Sequence, residues 1–417
     1  MTFYPDMEKA ILVTVDLEKE KGWAAEDRAA ELRDLARSGG ASVEGEIICH
    51  KDKPTPDLFI GKGKFEELIL LSRAKSADIV IFNNDLTPTQ LRNLEKGLDG
   101  IKVIDRTQLI LDIFSQHARS MEGKTQVELA QLEYLLPRLT GIGIQLSGLG
   151  AGIGTRGPGE KILEYDRRRI RDRIARLKKE LKDLANRRGA LRKRRHDAML
   201  TTIAIIGYTN AGKTTLLNRL TDSGKFVADK LFSTLDPVAR AYTLPNKLKV
   251  LFHDTVGFLY DLPHHLVESF KATLEEVRMA DVLVHVLDAS NPRVHELDAA
   301  VYRVLKELGA ENKIIINVLN KVDLVDNANY LKRIKKEFRD AVLMSALKGE
   351  GTGILIDEVT KLLSGLVTEV KVEIPNTKMD LVSLIYDSGK VHKREDRPDS
   401  VYIEATIPTR LKNNFTL

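Results

Sequence analysis

Cysteine is nearly absent from this 417-residue chain. Cys49 stands alone, which excludes an intramolecular disulfide and most thiolate metal sites. Long apolar runs are missing too. Stretches such as Leu68–Leu71 and Ile314–Ile316 fall far short of the ~18–20 residues that span a bilayer, so no stable membrane insertion is expected. The opening residues, MTFYPDMEKAILVTVD, set acids beside their apolar stretch and lack a secretory signal pattern. With 13 prolines, 28 glycines and no low-complexity tract, long disorder is not expected either. These absences lead to the expectation of a soluble protein of a reducing cytoplasm. What is present is a chain 43% hydrophobic and 30% charged, able to bury sizeable cores. At roughly 150 residues per domain its length gives about three domains.

The net charge of +5 is unevenly placed. Residues 161–195 hold 16 Lys/Arg against 5 Asp/Glu, a local balance of +11, and the remainder is therefore acidic at −6. One segment owns all the basic excess, which points to a polyanionic partner.

Residues 1–115 alternate short strand-like runs (Ile11–Val15, Ser42–Cys49, Ile79–Phe82, Ile101–Ile104) with helical patterns (Ala24–Arg37, Gly63–Ala74, Pro88–Lys96). That alternation predicts a small α/β layer domain with a largely parallel sheet. Lys62-Gly63-Lys64 reads either as a helix-entry turn with solvated lysines or as a phosphate-contacting loop. Residues 116–198 change character. A helical stretch, Thr125–Leu139, leads into the loop Ser147–Glu160, which carries six glycines and Pro158. So little apolar surface cannot form a core; the loop is either a linker or a backbone laid against phosphates, with Arg156 as a forked donor. A long helix follows, in which Leu163, Ile170, Ile174, Leu177, Leu181, Leu184 and Leu191 make a heptad-like stripe wanting an antiparallel partner that Thr125–Leu139 can supply. Its charge is either a solvated coiled-coil face or an RNA contact. Arg156, Arg167, Arg168 and Arg171 are the expected RNA contacts.

From Thr201 the pattern becomes specific. The strand-like run Thr202–Ile206 feeds Gly207-Tyr208-Thr209-Asn210-Ala211-Gly212-Lys213-Thr214, a match to G-x-x-x-x-G-K-[ST] between a strand and the helix Thr215–Leu220. The glycines let successive N–H groups point at a β-phosphate. Lys213 reaches β/γ oxygens, and the Thr214 hydroxyl is suited to Mg²⁺. Downstream, Val250–His253 ends in Asp254-Thr255-Val256-Gly257. A carboxylate there can hold the magnesium through water, and the Gly257 N–H can meet a γ-phosphate. Between these lies Phe232-Ser233-Thr234-Leu235-Asp236-Pro237, where Thr234 would join the magnesium shell only with a γ-phosphate present. Lys213, Thr234 and Gly257 are thus the expected catalytic groups, and Thr214, Thr234 and Asp254 the metal-binding ones.

Base choice follows from Asn320-Lys321-Val322-Asp323 after the strand Lys313–Leu319. The Asp323 carboxylate matches the N1–H and N2–H₂ donors of guanine, which adenine lacks, so GTP and GDP are the expected ligands. Lys321 would pack over the base and Asn320 would brace the loops. Ser345-Ala346-Leu347, after the strand Ala341–Met344, would bring the Ala346 N–H to guanine O6. One position departs from the pattern of Ras-like enzymes: Phe258 stands where they place a water-orienting glutamine. Hydrolysis should then be slow alone, the missing group coming from elsewhere in the chain or from a partner. His264 and His265 lie near in sequence and read as surface residues of a loop.

Taken together, these motifs, the loop Gly154-Thr155-Arg156-Gly157-Pro158-Gly159-Glu160 and the basic helix resemble the HflX family of translation-factor-related GTPases, over about residues 5–365. The resemblance implies a cytoplasmic GTPase, monomeric off the ribosome, that binds the large (50S) ribosomal subunit and its rRNA in the GTP state and splits or rescues stalled ribosomes under stress. After Glu160 the family usually has a Thr-Gln pair, where this chain has Lys161-Ile162. The expected fold class is α/β: an α/β domain over 1–115, a basic helical hairpin over 116–198, a P-loop G domain over 199–365 and a small α+β domain over 366–417, with strands Val367–Ile374 and Val401–Ile407 around a helix Met379–Tyr386. Two other functions are compatible with these residues: a ribosome-assembly GTPase, and a signalling switch acting on a protein effector.

Overall fold

The computed structural model describes residues 7–17, 23–139, 158–197, 201–221, 232, 238–259 and 271–415. These fall into two compact units.

The first unit is built on four parallel strands, β1 (Lys9–Leu17), β2 (Ser42–Lys51), β3 (Ile79–Phe82) and β4 (Lys102–Asp105), in the order β2-β1-β3-β4. Side chains alternate across a strand, so β1 feeds two cores. Ile11, Val13 and Val15 pack with Val80 and Phe82 against Leu68 and Leu94, contributed by α2 (Lys62–Lys75) and α3 (Pro88–Gly97). Ala10, Leu12 and Thr14 point to the other face, covered by α1 (Ala25–Ser38) and α4 (Arg106–His117). Thr87 and Gln90 form a reciprocal capping box that starts α3 at Pro88.

No helix is expected over α4, and the expected boundary at residue 115 falls inside it. Leu109, Ile110, Leu111, Ile113 and Phe114 are all buried, whereas Gln108, Asp112, Ser115 and Gln116 form a narrow polar stripe at half-buried or exposed positions. Its start is fixed by Asp105, whose side chain accepts from the Gln108 N–H at 2.9 Å. The same fully buried carboxylate accepts from the Tyr134 hydroxyl at 2.7 Å and the Arg138 guanidinium at 3.0 Å. Both donors lie on α5 (Met121–Arg138). Burial pushes the Asp105 pKa up, and these donors pull it back. The Arg138 guanidinium also sits 3.4 Å from the centre of the Tyr134 ring. A single buried acid therefore pins the end of α5 to the sheet.

The long helix α6 (Pro158–Asp197) is joined to α5 by Arg173–Glu128 at 2.7 Å, Lys178–Glu133 at 2.8 Å and Arg188–Glu122 at 2.8 Å. Leu177 is fully buried in the stripe, with Ile170, Ile174, Leu181 and Leu184 half-buried.

The second unit carries a six-stranded sheet in the order β10-β9-β8-β5-β7-β6. Its elements run β5 (Thr201–Gly207), α7 (Lys213–Leu220), β6 (Val238–Thr243), β7 (Lys249–Asp254), α8 (Lys271–Met279), β8 (Val282–Asp288), α9 (Val294–Glu307), β9 (Ile314–Asn320), α10 (Ala328–Glu337), β10 (Val342–Leu343) and α11 (Thr352–Leu362). All neighbours are parallel except edge strand β6 on β7. Parallel strands are covered on both faces, which explains the unbroken apolar run of β5.

The chain ends in a three-stranded antiparallel sheet of β11 (Val367–Pro375), β12 (Lys390–Asp396) and β13 (Ser400–Pro408), in the order β11-β13-β12, with α12 (Met379–Ser388) across one face. The sequence reading missed β12 because its seven residues, Lys-Val-His-Lys-Arg-Glu-Asp, hold only one apolar side chain. Pairing with β13 makes it a strand.

Asp105→Ala leaves the buried Tyr134 hydroxyl without its acceptor and strips Arg138 of its carboxylate partner, leaving that guanidinium only the Tyr134 and Leu86 carbonyls. The expected loss is about 3 kcal/mol, as for a broken buried ion pair. Trp23, the sole tryptophan and 9% exposed in the first unit, is the fluorescence reporter for urea unfolding. An unchanged midpoint would contradict the anchoring role.

Candidate nucleotide-binding site

The strands β5, β7, β8 and β9 all end at one edge of the sheet, and the motif residues follow those ends. After β5 the loop turns through Gly207 at φ +147° and Gly212 at φ +96°. A methyl on Gly207 would lie 2.3 Å from the Val286 carbonyl oxygen, and one on Gly212 would lie 2.2 Å from Asn320 Nδ2. Both glycines are thus demanded by backbone shape and by close approach. Asn210 also takes a left-handed conformation, at φ +61°.

Lys213 begins α7, is 6% exposed, and donates from Nζ to the Tyr208 carbonyl at 2.7 Å. Burial lowers its pKa to about 8, with Asp254 opposing and Lys321 reinforcing that shift. A partly dehydrated ammonium is a strong attractor for a phosphate. Thr214 donates to Asp254 Oδ2 at 2.7 Å, and Asp254 is fully buried at the end of β7. A hydroxyl and a carboxylate oxygen so placed fit a hard cation such as Mg²⁺. Among the described residues no cluster of three or more His, Cys, Asp or Glu could hold a metal alone. Magnesium at nucleotide sites usually keeps waters and substrate phosphates as its other ligands.

The Thr255 hydroxyl donates to the Ile205 carbonyl at 2.7 Å, and Val256 is buried. Gly257 lies against the phosphate loop: a methyl there would be 2.7 Å from Thr209 Cγ2 and 3.0 Å from Lys213 Nζ. Phe258, 5% exposed, continues this contact as a bridge to Tyr208. Its N–H donates to the Gly207 carbonyl at 3.1 Å, and its carbonyl accepts from the Thr209 N–H at 2.9 Å.

Asn320, 3% exposed, donates from Nδ2 to the Ala211 carbonyl at 2.8 Å and accepts at Oδ1 from the Ala346 N–H at 2.9 Å. The amide expected at guanine O6 is thus directed at Asn320 here. Lys321, at φ +62°, forms an ion pair with Asp288 at 2.7 Å. The Val322 N–H donates to the Met344 carbonyl at 3.3 Å, and Asp323 lies half-buried in the following turn. Ser345 is fully buried and closes its loop by accepting from the Gly349 N–H at 2.7 Å, and Leu347 is 72% exposed.

Phe232 is placed elsewhere: its buried ring, at φ +58°, meets Phe114 edge-on at 4.5 Å within the first unit. Ser233, Thr234, Leu235, Asp236, Pro237, His264, His265 and Arg156 lie outside the described residues. Arg168 and Arg171 are exposed, whereas Arg167 is half-buried. Two residues escaped the sequence reading. Asp288 fixes Lys321. Arg219, on α7, donates to the Ala346 carbonyl at 3.3 Å and to the Leu347 carbonyl. A single arginine in a helix carries no motif that would have marked it.

Asn320→Ala removes both side-chain hydrogen bonds by which Asn320 links the Ala211 carbonyl to the Ala346 N–H, leaving the Arg219 contacts in place. Two lost buried hydrogen bonds should cost about 2–3 kcal/mol. Hydrogen exchange at the Ala346 amide should then accelerate at least about tenfold; unchanged protection would contradict the brace.

Family models match in sequence along the chain: "GTP-binding GTPase N-terminal" over 26–115, "GTP-binding GTPase Middle Region" over 117–195, "50S ribosome-binding GTPase" over 202–321 and "HflX C-terminal domain" over 331–414. The chain is 44% identical to GTPase HflX of Caldanaerobacter subterraneus over 98% of its own length and 93% of the relative's. It is 39% identical to GTPase HflX of Escherichia coli over 97% and 95%. A GTP-binding protein from Sulfolobus solfataricus in complex with GDP is similar at 25% identity and a TM-score of 0.44, covering 86% of this chain and all of that one. With relatives of that identity aligned along nearly its whole length, the chain belongs to the HflX family of GTPases.

Proposed function

We propose that this protein is a Mg²⁺-dependent GTP hydrolase of the cytoplasm that acts on the large (50S) ribosomal subunit, meeting its rRNA through α6. In this reading it is monomeric off the ribosome and splits or rescues stalled ribosomes under stress. The observation that carries it is the union of a built phosphate-and-base site with a single-signed helix. Along 165–189, Arg168, Arg169, Arg171, Arg176, Lys179, Lys182 and Arg187 are exposed, against Asp166, Asp172, Glu180 and Asp183. The ion pairs to α5 engage other basic residues, Arg173, Lys178 and Arg188. The exposed surplus suits a phosphate backbone. The match to a model described as a 50S ribosome-binding GTPase supports the same partner.

In the proposed reaction, Lys213 meets the β- and γ-phosphates. The Gly257 N–H meets the γ-phosphate once Gly257 and Phe258 lift from the loop. Thr214 and Asp254, joined by Thr234, would hold the Mg²⁺, which neutralises charge on the phosphates when bound. Asp323 selects guanine, and burial of the base would cover the exposed apolar surface of Leu347. Water attacks the γ-phosphorus, its bond to the bridging oxygen breaks, and GDP and phosphate leave.

GTP turnover should rise by at least about tenfold when purified 50S particles are added, as partner-supplied groups commonly give far more. Log affinity for those particles should fall with log salt at roughly 0.7–0.9 per neutralised phosphate. Absent stimulation, or salt-independent binding, would sink the ribosomal reading. In a separate test, Asp323→Asn should weaken GTP binding and admit xanthosine triphosphate, because an amide offers a donor where xanthine has a carbonyl. Unchanged base selectivity would remove Asp323 from recognition.

A further inference from the structure

A P-loop hydroxyl has no assigned task. Thr209 is 7% exposed, and its Oγ1 is buried without a hydrogen-bond partner among the described residues. Burying a hydroxyl in that state is unfavourable, so the position favours a hydrogen-bonding partner. Its surroundings narrow what that partner is. Gly257 packs so closely that a methyl on it would lie 2.7 Å from Thr209 Cγ2 and 2.8 Å from Thr209 Cα. The same methyl would lie 3.0 Å from Lys213 Nζ. Thr209 therefore sits beside the lysine and the glycine between which a γ-phosphate would enter. Its own N–H is held by the Phe258 carbonyl at 2.9 Å. A terminal phosphate entering there displaces that carbonyl and frees the Thr209 N–H beside the buried hydroxyl.

Phe258 brings no polar side-chain atom to this place. We infer that the Thr209 hydroxyl is the catalytic group that orients the attacking water, supplied by the phosphate loop itself. It accepts a hydrogen bond from the water and donates its own hydrogen to a γ-phosphate oxygen. Water oxygen bonds to the γ-phosphorus, the bond from that phosphorus to the bridging oxygen breaks, and GDP departs with the electron pair. The water proton ends on the released phosphate and Thr209 is unchanged. This inference rests on the nucleotide site proposed above and names a group within it.

The test is single-turnover and steady-state hydrolysis of GTP by the full chain carrying Thr209→Val, which keeps the shape and removes the hydroxyl. The rate at saturating GTP should fall about 10- to 100-fold, the range for losing one positioned hydrogen-bonding group. KM and GDP affinity should stay within about twofold, since the contact matters in the transition state. Thr209→Ser should recover most of the rate. Thr209→Ala serves as a second variant if valine disturbs the fold, with GDP affinity reporting an intact site in both. An unchanged rate, or a raised KM with unchanged kcat, overturns the role of Thr209 while leaving the GTPase reading intact. No guanine-nucleotide turnover in the unaltered protein would overturn both.

Discussion

The nucleotide site depends on one buried amide. Asn320 closes β9, and its side chain holds the Ala211 carbonyl on one side and the Ala346 N–H on the other. The loop after β5 and the loop after β10 lie more than 100 residues apart in sequence, and this side chain ties them together. Its fit is tight: Gly212 must be glycine because Asn320 Nδ2 occupies the space of a β-carbon. Arg219 repeats the tie from α7, gripping the carbonyls of the loop whose N–H Asn320 holds. The loop is fixed on its donor side by Asn320 at the end of β9 and on its acceptor side by Arg219 of α7.

Around that brace the polar groups are arranged with few waste contacts. Lys213, buried by the loop that presents it, carries a lowered pKa until an anion arrives. Asp254 meets Thr214, and Thr255 returns to the backbone of β5. The chain leaving this strand then folds back so that Gly257 and Phe258 lie on the loop itself. A site of this form has two competitors for one set of loop amides: its own backbone and an incoming phosphate.

Legibility followed a physical rule. Segments whose environment repeats along the chain were readable: the two-sided apolar run of β5, the glycines of its loop and the alternating elements of the first sheet. Those made by distant partners were not. The six charged and polar residues of β12, with Val391 alone apolar among them, become a strand because β13 supplies the hydrogen bonds. Helix α4 carries only a narrow polar stripe, Gln108, Asp112, Ser115 and Gln116, and it is anchored by an acid, Asp105, that serves Tyr134 and Arg138 from another helix. The basic helix announced its charge but not its faces. Arg167 is half-buried, whereas Arg176 and Lys179, which the pattern did not single out, are exposed.

The amino-acid sequence by itself determined the α/β class, the order of the nucleotide motifs and the position of the basic excess. These are local: glycine conformations, strand periodicity and charge are written in consecutive residues. Only the tertiary structure decided that Lys321 pairs with Asp288, that Arg219 reaches the loop after β10, and that Gly257 covers Thr209. Each of those depends on which strand ends lie side by side. The sheet order β10-β9-β8-β5-β7-β6 sets that, through hydrogen bonds between residues far apart in the chain.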